Sequence, residues 1–123
     1  RGSIASSVAH DSHNVVVLGV DDVSMTTAVR RTAEIGGGVV IADGERVLAE
    51  VALPVAGLMS NRPIAEVDAA ERRANEAARS LGGTMDHPFM TLAFLALPVI
   101  PELKLTDRGL VDVKAFDFVS PLA

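Results

Sequence analysis

The sequence contains no cysteine, no tryptophan and no tyrosine, and only four phenylalanines. Without cysteine, the chain can form neither a disulfide framework nor a thiolate-based zinc site. The core must therefore be aliphatic, and hydrophobic residues make up 49% of the 123 positions. This length and composition predict one globular domain with a core of its own. The lack of cysteine also fits a cytoplasmic location, which is the expectation for this chain.

The sequence also lacks an excess of positive charge. Its formal net charge is −5 at pH 7, which argues against nucleic acid and anionic membrane surfaces as partners. The longest apolar run, residues 89–100, contains Thr91 and Pro98 and is too short to span a bilayer. No signal-peptide pattern and no initiator Met are present, so Arg1-Gly2-Ser3 are interpreted either as residues added in cloning or as part of a longer polypeptide.

Hydrophobic periodicity predicts an α+β fold, with a mostly antiparallel or mixed sheet layered against two main helices and a short buried helix. The predicted order is two strands, a helix, a hairpin, the clearest helix, a short helix, a second hairpin and a final extended segment. The corresponding ranges are 4–9, 14–20, 21–35, 39–53, 63–81, 87–97, 103–113 and 116–118.

Local signals place the ends of these elements. Asp21 or Asp22 can cap the first helix, whose apolar face is predicted around Met25, Val29 and Ala33, with Ala28, Thr32 and Ile35 beside them. Three glycines, 36–38, follow that helix and predict its end, whereas a phosphate-binding loop precedes a helix. Asp43-Gly44 between apolar runs predicts a hairpin turn in which both residues have positive φ.

The densest group of chemically capable side chains is His10-Asp11-Ser12-His13-Asn14, between the first two predicted strands. A turn there would present all five residues at one rim of the sheet. His10 and Asp11 could form an acid–base pair, with Ser7 or Ser12 as a nucleophile, although no G-x-S-x-G elbow is present. The alternative is a polar turn whose side chains bond to the local backbone.

A metal site at this turn is not predicted. His10 and His13 are three residues apart in a stretch that is not helical, whereas the zincin motif needs histidines at i and i+4 of a helix. The third histidine, His87, is distant in sequence, and Asp11 alone would complete only part of a site. We therefore assign no metal to this chain.

Several stretches together resemble the C-terminal domain of bacterial adenine deaminases, a family related to the metal-dependent amidohydrolases. They are Ser6-Ser7-Val8-Ala9-His10-Asp11-Ser12-His13-Asn14 with the strand and Asp21-Asp22 that follow, Gly36-Gly37-Gly38, Leu53-Pro54-Val55-Ala56-Gly57-Leu58-Met59-Ser60, Asp86-His87-Pro88-Phe89-Met90-Thr91-Leu92, and the long run 95–111. The resemblance covers the chain nearly from end to end.

The resemblance implies that residues 1–123 form one domain at the C-terminal end of a longer adenine deaminase. That hydrolase converts adenine to hypoxanthine and ammonia with a divalent metal (manganese, iron or zinc) that activates water. In that family the metal ligands lie on a barrel preceding this domain, so the resemblance implies that this chain is not the catalytic barrel itself and that the barrel is its partner. A homo-oligomer is also expected. The isolated chain is predicted to be inactive, with no catalytic residue of its own.

Three roles for the domain remain open. In the first, the domain completes or caps the active site of the barrel and helps to enclose adenine. In the second, it is a structural or assembly module whose polar turn makes interdomain or intersubunit contacts. In the third, it binds a purine-like small ligand by itself, without catalysis. The residues predicted to line a substrate pocket are Ser7, His10, Asp11, Ser12, His13, Asn14 and Met59.

Overall fold

The computed structural model describes residues 1–10 and 13–122, and within them it confirms the α+β class. The first sheet has the strand order β2-β1-β3-β4, with every neighbouring pair antiparallel. A second antiparallel sheet has the order β5-β6-β7. The strands are β1 (Ser3–Ser6), β2 (Val16–Gly19), β3 (Gly38–Asp43), β4 (Arg46–Ala52), β5 (Leu103–Thr106), β6 (Gly109–Asp112) and β7 (Asp117–Val119).

Three helices accompany these sheets within the described residues: α1 (Asp22–Glu34), α2 (Ile64–Ser80) and α3 (Pro88–Phe94). The first sheet lies between α1 and α2. Successive side chains of a strand point to opposite faces, so the same strand can pack against both helices. Val40 of β3 packs with Ala28 of α1, whereas Val39 and Ile41 pack with Ala74 of α2. In the part of the chain covered by the structure, no helix has the length and apolar character needed to cross a membrane.

Helix α1 begins and ends as its sequence predicts. The Asp21 carboxylate accepts hydrogen bonds from the Ser24 N–H and the Ser24 hydroxyl, both at 2.8 Å, and these bonds lower the pKa of Asp21. At the other end, Gly36 N–H donates to the Ala33 carbonyl and Gly37 N–H to the Thr32 carbonyl, which is the Schellman pattern. The buried row is Ser24, Ala28 and Thr32, so the predicted inward position of Ala33 is wrong.

The β3–β4 hairpin is confirmed, but its predicted turn residues are shifted by one position. Asp43 is the last residue of β3 and pairs with Arg46, so Gly44 and Glu45 form the turn. Gly44 has φ +60°, and Glu45 is not among the residues with positive φ. Glycine at the first turn position is the requirement of a type II′ turn, which suits the twist of a hairpin.

Helix α2 follows its predicted range closely, beginning one residue later and ending one residue earlier. Ala74 and Ala78 are buried, while Ile64 at its start is exposed. Arg72 and Asp68, four residues apart, form a surface ion pair at 2.8 Å. In the shorter α3, Leu92 is buried and Met90 is exposed, because a helix of seven residues packs along one side only.

A bidentate ion pair connects α1 to β4. Arg31 Nε donates to Glu50 at 2.7 Å and Arg31 Nη2 donates to the other carboxylate oxygen at 2.9 Å. These hydrogen bonds hold the pKa of the Glu50 carboxyl below its ordinary value, against partial burial that would raise it. The same contacts raise the pKa of Arg31. The pair therefore ties the helix to the strand through charge-assisted bonds of fixed geometry.

Glu50→Gln is expected to lower the stability of the domain at neutral pH and to have no such effect in acid. Because folding lowers the pKa of Glu50 from 4.5, the pair stabilises the folded state above that pH and loses its contribution as the pH falls through the lower, folded pKa. Urea unfolding followed by circular dichroism between pH 7 and pH 3 measures the difference. A wild-type advantage that persists unchanged at pH 3 would contradict this assignment, and Glu71→Gln on the exposed face of α2 is the control.

Candidate functional site

The candidate site lies where β1 ends and β2 begins, at one end of the first sheet. Strand β1 stops at Ser6, three residues earlier than predicted, because the Ser6 hydroxyl accepts a hydrogen bond from Val8 N–H and turns the chain. Ser6 pairs with Val16, so the described residues of the connection between them, 7–10 and 13–15, lie at this end of the sheet. Asp11 and Ser12, two of the predicted pocket residues, lie outside the described residues.

Ser7 joins three separate segments at this end. Its hydroxyl donates to the Gly57 carbonyl at 2.6 Å and accepts from Gly38 N–H at 2.7 Å, while its own N–H donates to the Gly38 carbonyl at 3.0 Å. We call Ser7, Gly37, Gly38 and Gly57 the Ser7 junction. The Ser7 side chain is buried, and its hydroxyl proton is directed to a carbonyl oxygen. This geometry suits a positioning residue better than a nucleophile, which needs a nearby base to receive that proton.

Glycine is required at the Ser7 junction because two backbones approach each other closely there. A Cβ placed on Gly37 would lie 2.4 Å from the Gly57 Cα and 3.0 Å from the Ser7 hydroxyl oxygen. Gly37 also has φ +106°, which side chains disfavour. The helix-stop interpretation of 36–38 is therefore correct, and the same glycines also admit the 55–59 turn to the end of the sheet.

Met59 is carried by a turn that closes on itself. Val55 N–H donates to the Met59 carbonyl and Met59 N–H donates to the Val55 carbonyl, both at 3.1 Å. Ala56 and Gly57 have φ +57° and +73°, as such a tight reversal requires. The Met59 side chain is 59% exposed. The Ser7 junction thus places an exposed apolar side chain on a turn anchored beside the end of β1.

His10 contacts the C-terminal end of α3. Its backbone N–H donates to the Ala93 carbonyl at 3.1 Å, and its ring stacks on Phe94 with centroids 5.7 Å apart and planes 17° from parallel. The residue is exposed. An imidazole held in this way has a defined orientation while its nitrogens remain close to solvent.

His13 and Asn14 complete the described part of the connection. His13 has φ +50°, and its N–H donates to the Ala9 carbonyl at 2.8 Å. Both residues are exposed, and Asn14 also lines a groove beside β2. We call His10, His13, Asn14 and Met59 the rim. Its members come from two segments separated by more than forty positions, and the Ser7 junction connects those segments.

The rim offers hydrogen-bonding and apolar groups but no assembled metal site. Among residues 1–10 and 13–122, no group of three or more potential ligands could hold a metal ion.

Two contributors to the site escaped the sequence analysis: Phe94, which supports His10, and the contact between Gly37 and Gly57. The three glycines at 36–38 and the single Gly57 were the available signal, but nothing in the sequence shows that these two turns meet.

Comparison with known proteins gives a consistent result. The family profile described as "Adenine deaminase C-terminal domain" matches residues 1–117. Proteins named Adenine deaminase from Desulfatibacillum aliphaticivorans and Brucella melitensis are 53% and 54% identical over 120 and 118 residues, covering 98% and 96% of this chain and 21% and 20% of their own length. One from Methylobacterium nodulans is 58% identical over 113 residues, covering 92% of this chain and 20% of that protein.

The chain therefore spans about a fifth of the length of the curated relatives that it matches. The resemblance first noted in the polar connection and the long run 95–111 extends through the elements that build the Ser7 junction and the rim. On the profile match and these identities, the chain belongs to the family of adenine deaminase C-terminal domains.

Proposed function

We propose that this chain is the C-terminal domain of an adenine deaminase, and that its rim completes or caps the active site of a barrel that precedes it. The reaction is the hydrolysis of adenine, a cyclic amidine, to hypoxanthine and ammonia. The observation that carries the proposal is the profile match over residues 1–117, together with relatives that are named for this activity and are about five times as long.

The arrangement of the rim supports a capping role. The Ser7 junction anchors the 55–59 turn beside the connection that carries His10 and His13, so exposed groups from both segments lie at one end of the sheet. Imidazole nitrogens can donate to or accept from the ring nitrogens and exocyclic amine of a purine. The Met59 side chain can cover an apolar ring face. Ser7 then acts by positioning the turn.

The described residues of this chain do not fit a metal centre, so no step is assigned to one here. The divalent metal implied by the resemblance, whether manganese, iron or zinc, belongs to the barrel, where it would activate the attacking water. The role of the rim is to orient adenine and to exclude bulk water from the reacting carbon. A cytoplasmic location and a homo-oligomeric state remain part of this proposal.

The proposal is tested by ammonia release from adenine with Mn(II) present. Chain 1–123 alone, the separately produced barrel, and the mixture of both are compared. We expect turnover in the mixture that exceeds the barrel's own rate, and none from the chain alone. Activity in the chain alone would overturn the placement of the metal site. No gain on mixing, with a barrel shown to be folded and metal-loaded, would favour the assembly role.

Two histidine variants of the full-length enzyme separate the capping role from an assembly role. His10→Phe keeps the stack on Phe94 but removes the ring nitrogens, and His13→Asn keeps a residue that tolerates positive φ. Either variant is expected to lower kcat/KM for adenine by roughly 10- to 100-fold, the effect of one lost hydrogen bond to the substrate, without changing the oligomeric state. His87→Ala, outside the rim, is the matched control; lost assembly with normal turnover would contradict the capping role.

Ser7→Ala tests whether the Ser7 junction positions the rim. Removing the hydroxyl leaves the Gly38 N–H and the Gly57 carbonyl without this partner, which should reduce the free energy of unfolding by about 1–3 kcal/mol. In the full-length enzyme, KM for adenine should rise more than kcat falls, because the 55–59 turn is less well placed. Ser80→Ala removes an exposed hydroxyl on α2 and is the control. Unchanged stability and kinetics would remove Ser7 from the site.

A further inference from the structure

Strand β2 leaves one side of the first sheet open. Among the residues that the structure describes, β1 is its one strand neighbour, and Val20 N–H, just after the end of β2, donates to the Gly2 carbonyl. In an antiparallel pair, the backbone N–H and C=O groups of successive residues point alternately toward and away from the partner strand. Since those of Val20 point toward β1, those of Leu18 and Val16 do so as well. The N–H and C=O groups of Val17 and Gly19 must then point away from the sheet. They are hydrogen-bond donors and acceptors that an additional strand beside β2 could pair with.

A groove of about 610 Å³ lies beside the first half of this open edge. Its walls are residues 14–17, which lead into β2 and form its first two positions, residues 96–99 after α3, and residues 105–107 at and just beyond the end of β5. Apolar side chains dominate these walls, and Val99 and Leu105 are 72% and 57% exposed. Leu105 N–H donates to the Leu95 carbonyl, which holds the second sheet in place as the far wall.

The edge carries no charged side chain, no proline and no bulge, which are common features that prevent strand pairing. Between Asn14 and Val20 the sequence has no lysine, arginine, proline or acidic residue, and the β1–β2 register is continuous. Natural proteins usually block an exposed edge with such charges, with proline or with a bulge. The opposite edge strand, β4, does carry them: Arg46 and Glu50 lie on it, and its pairing with β3 contains a register shift. The difference indicates that the β2 edge is covered in the working protein.

We propose that an extended segment from the preceding part of the same polypeptide docks in this groove and adds a strand to β2. This inference rests on the proposed function, since the chain spans only 20–21% of its relatives and about four-fifths of their length lies outside it. Main-chain bonds to Val17 and Gly19 supply the pairing, and the apolar walls receive alternate side chains. A segment of four or five residues, about 13–17 Å long, matches the length of β2.

The shape of the groove favours such a segment over a second copy of this chain. Pairing of two β2 edges around a two-fold axis would require the edges to meet directly. Here the first half of the edge lies in a groove, with residues 96–99 and 105–107 standing beside it. A single extended segment fits between these walls, whereas a second domain would bring its own walls into contact with them.

Residue-resolved hydrogen exchange in the full-length protein tests the inference, and the strand supplies its own control. Leu18 N–H faces β1 and Val17 N–H faces the groove. With a docked segment, the exchange rate of the Val17 amide should be within about tenfold of that of the Leu18 amide. Exchange of Val17 more than about tenfold faster than that of Leu18 would overturn the proposal, because the edge would then be open to solvent.

A lysine in the groove wall provides the second measurement. Leu105→Lys places a charge where the segment would dock and should speed the exchange of Val17 by at least about tenfold while Leu18 is unaffected. Ile64→Lys, at an 82% exposed position on α2, should change neither amide. Slow Val17 exchange that survives Leu105→Lys, or that disappears on dilution as a dimer dissociates, would overturn the proposal. Adenine turnover in the same samples separates the two ideas, because an active enzyme with a fast Val17 contradicts only this inference.

Discussion

The hydrogen bonds of the Ser7 hydroxyl hold together three segments that are far apart in sequence. A hydroxyl can donate one bond and accept others, and here it donates to the Gly57 carbonyl and accepts from Gly38 N–H. Both partners are backbone groups, so the contact requires the two backbones to come very close. Gly37 and Gly57 permit that approach because neither carries a Cβ. The position of the 55–59 turn, and with it the rim, depends on this arrangement.

The same arrangement explains how a small domain presents a site without using its core. The sheet is covered by α1 on one face and by α2 on the other, and aliphatic side chains make up most of the interior. Polar groups can gather only where strands end. The connection 7–15 and the 55–59 turn meet at one such end, and α3 supports His10 from the side through the Ala93 carbonyl and the Phe94 ring. The rim is therefore exposed at this end of the sheet, where another part of a protein can contact it.

Local signals in the sequence predicted most of the elements but not all of their details. The capping aspartate, the three glycines after α1 and the periodicity of α2 each act over a few residues, and each was interpreted correctly. The turn of the first hairpin was misplaced by one residue, because Asp-Gly and Gly-Glu are both compatible with a hairpin and the register with β4 selects between them. Helical periodicity places Ala28 and Thr32 on the buried face correctly, but it does not locate the edge of that face, and Ala33 is exposed.

The sequence by itself determined the fold class, the family and the clustering of polar residues between the first two strands, since these properties reside in local pattern and composition. Only the tertiary structure decided which of those residues meet. Ser7 is buried in backbone contacts, His10 stacks on a phenylalanine more than eighty positions away, and Met59 stands on a turn anchored to β1. These contacts join residues distant in the chain, and their geometry comes from the packing of whole elements, which no local pattern records.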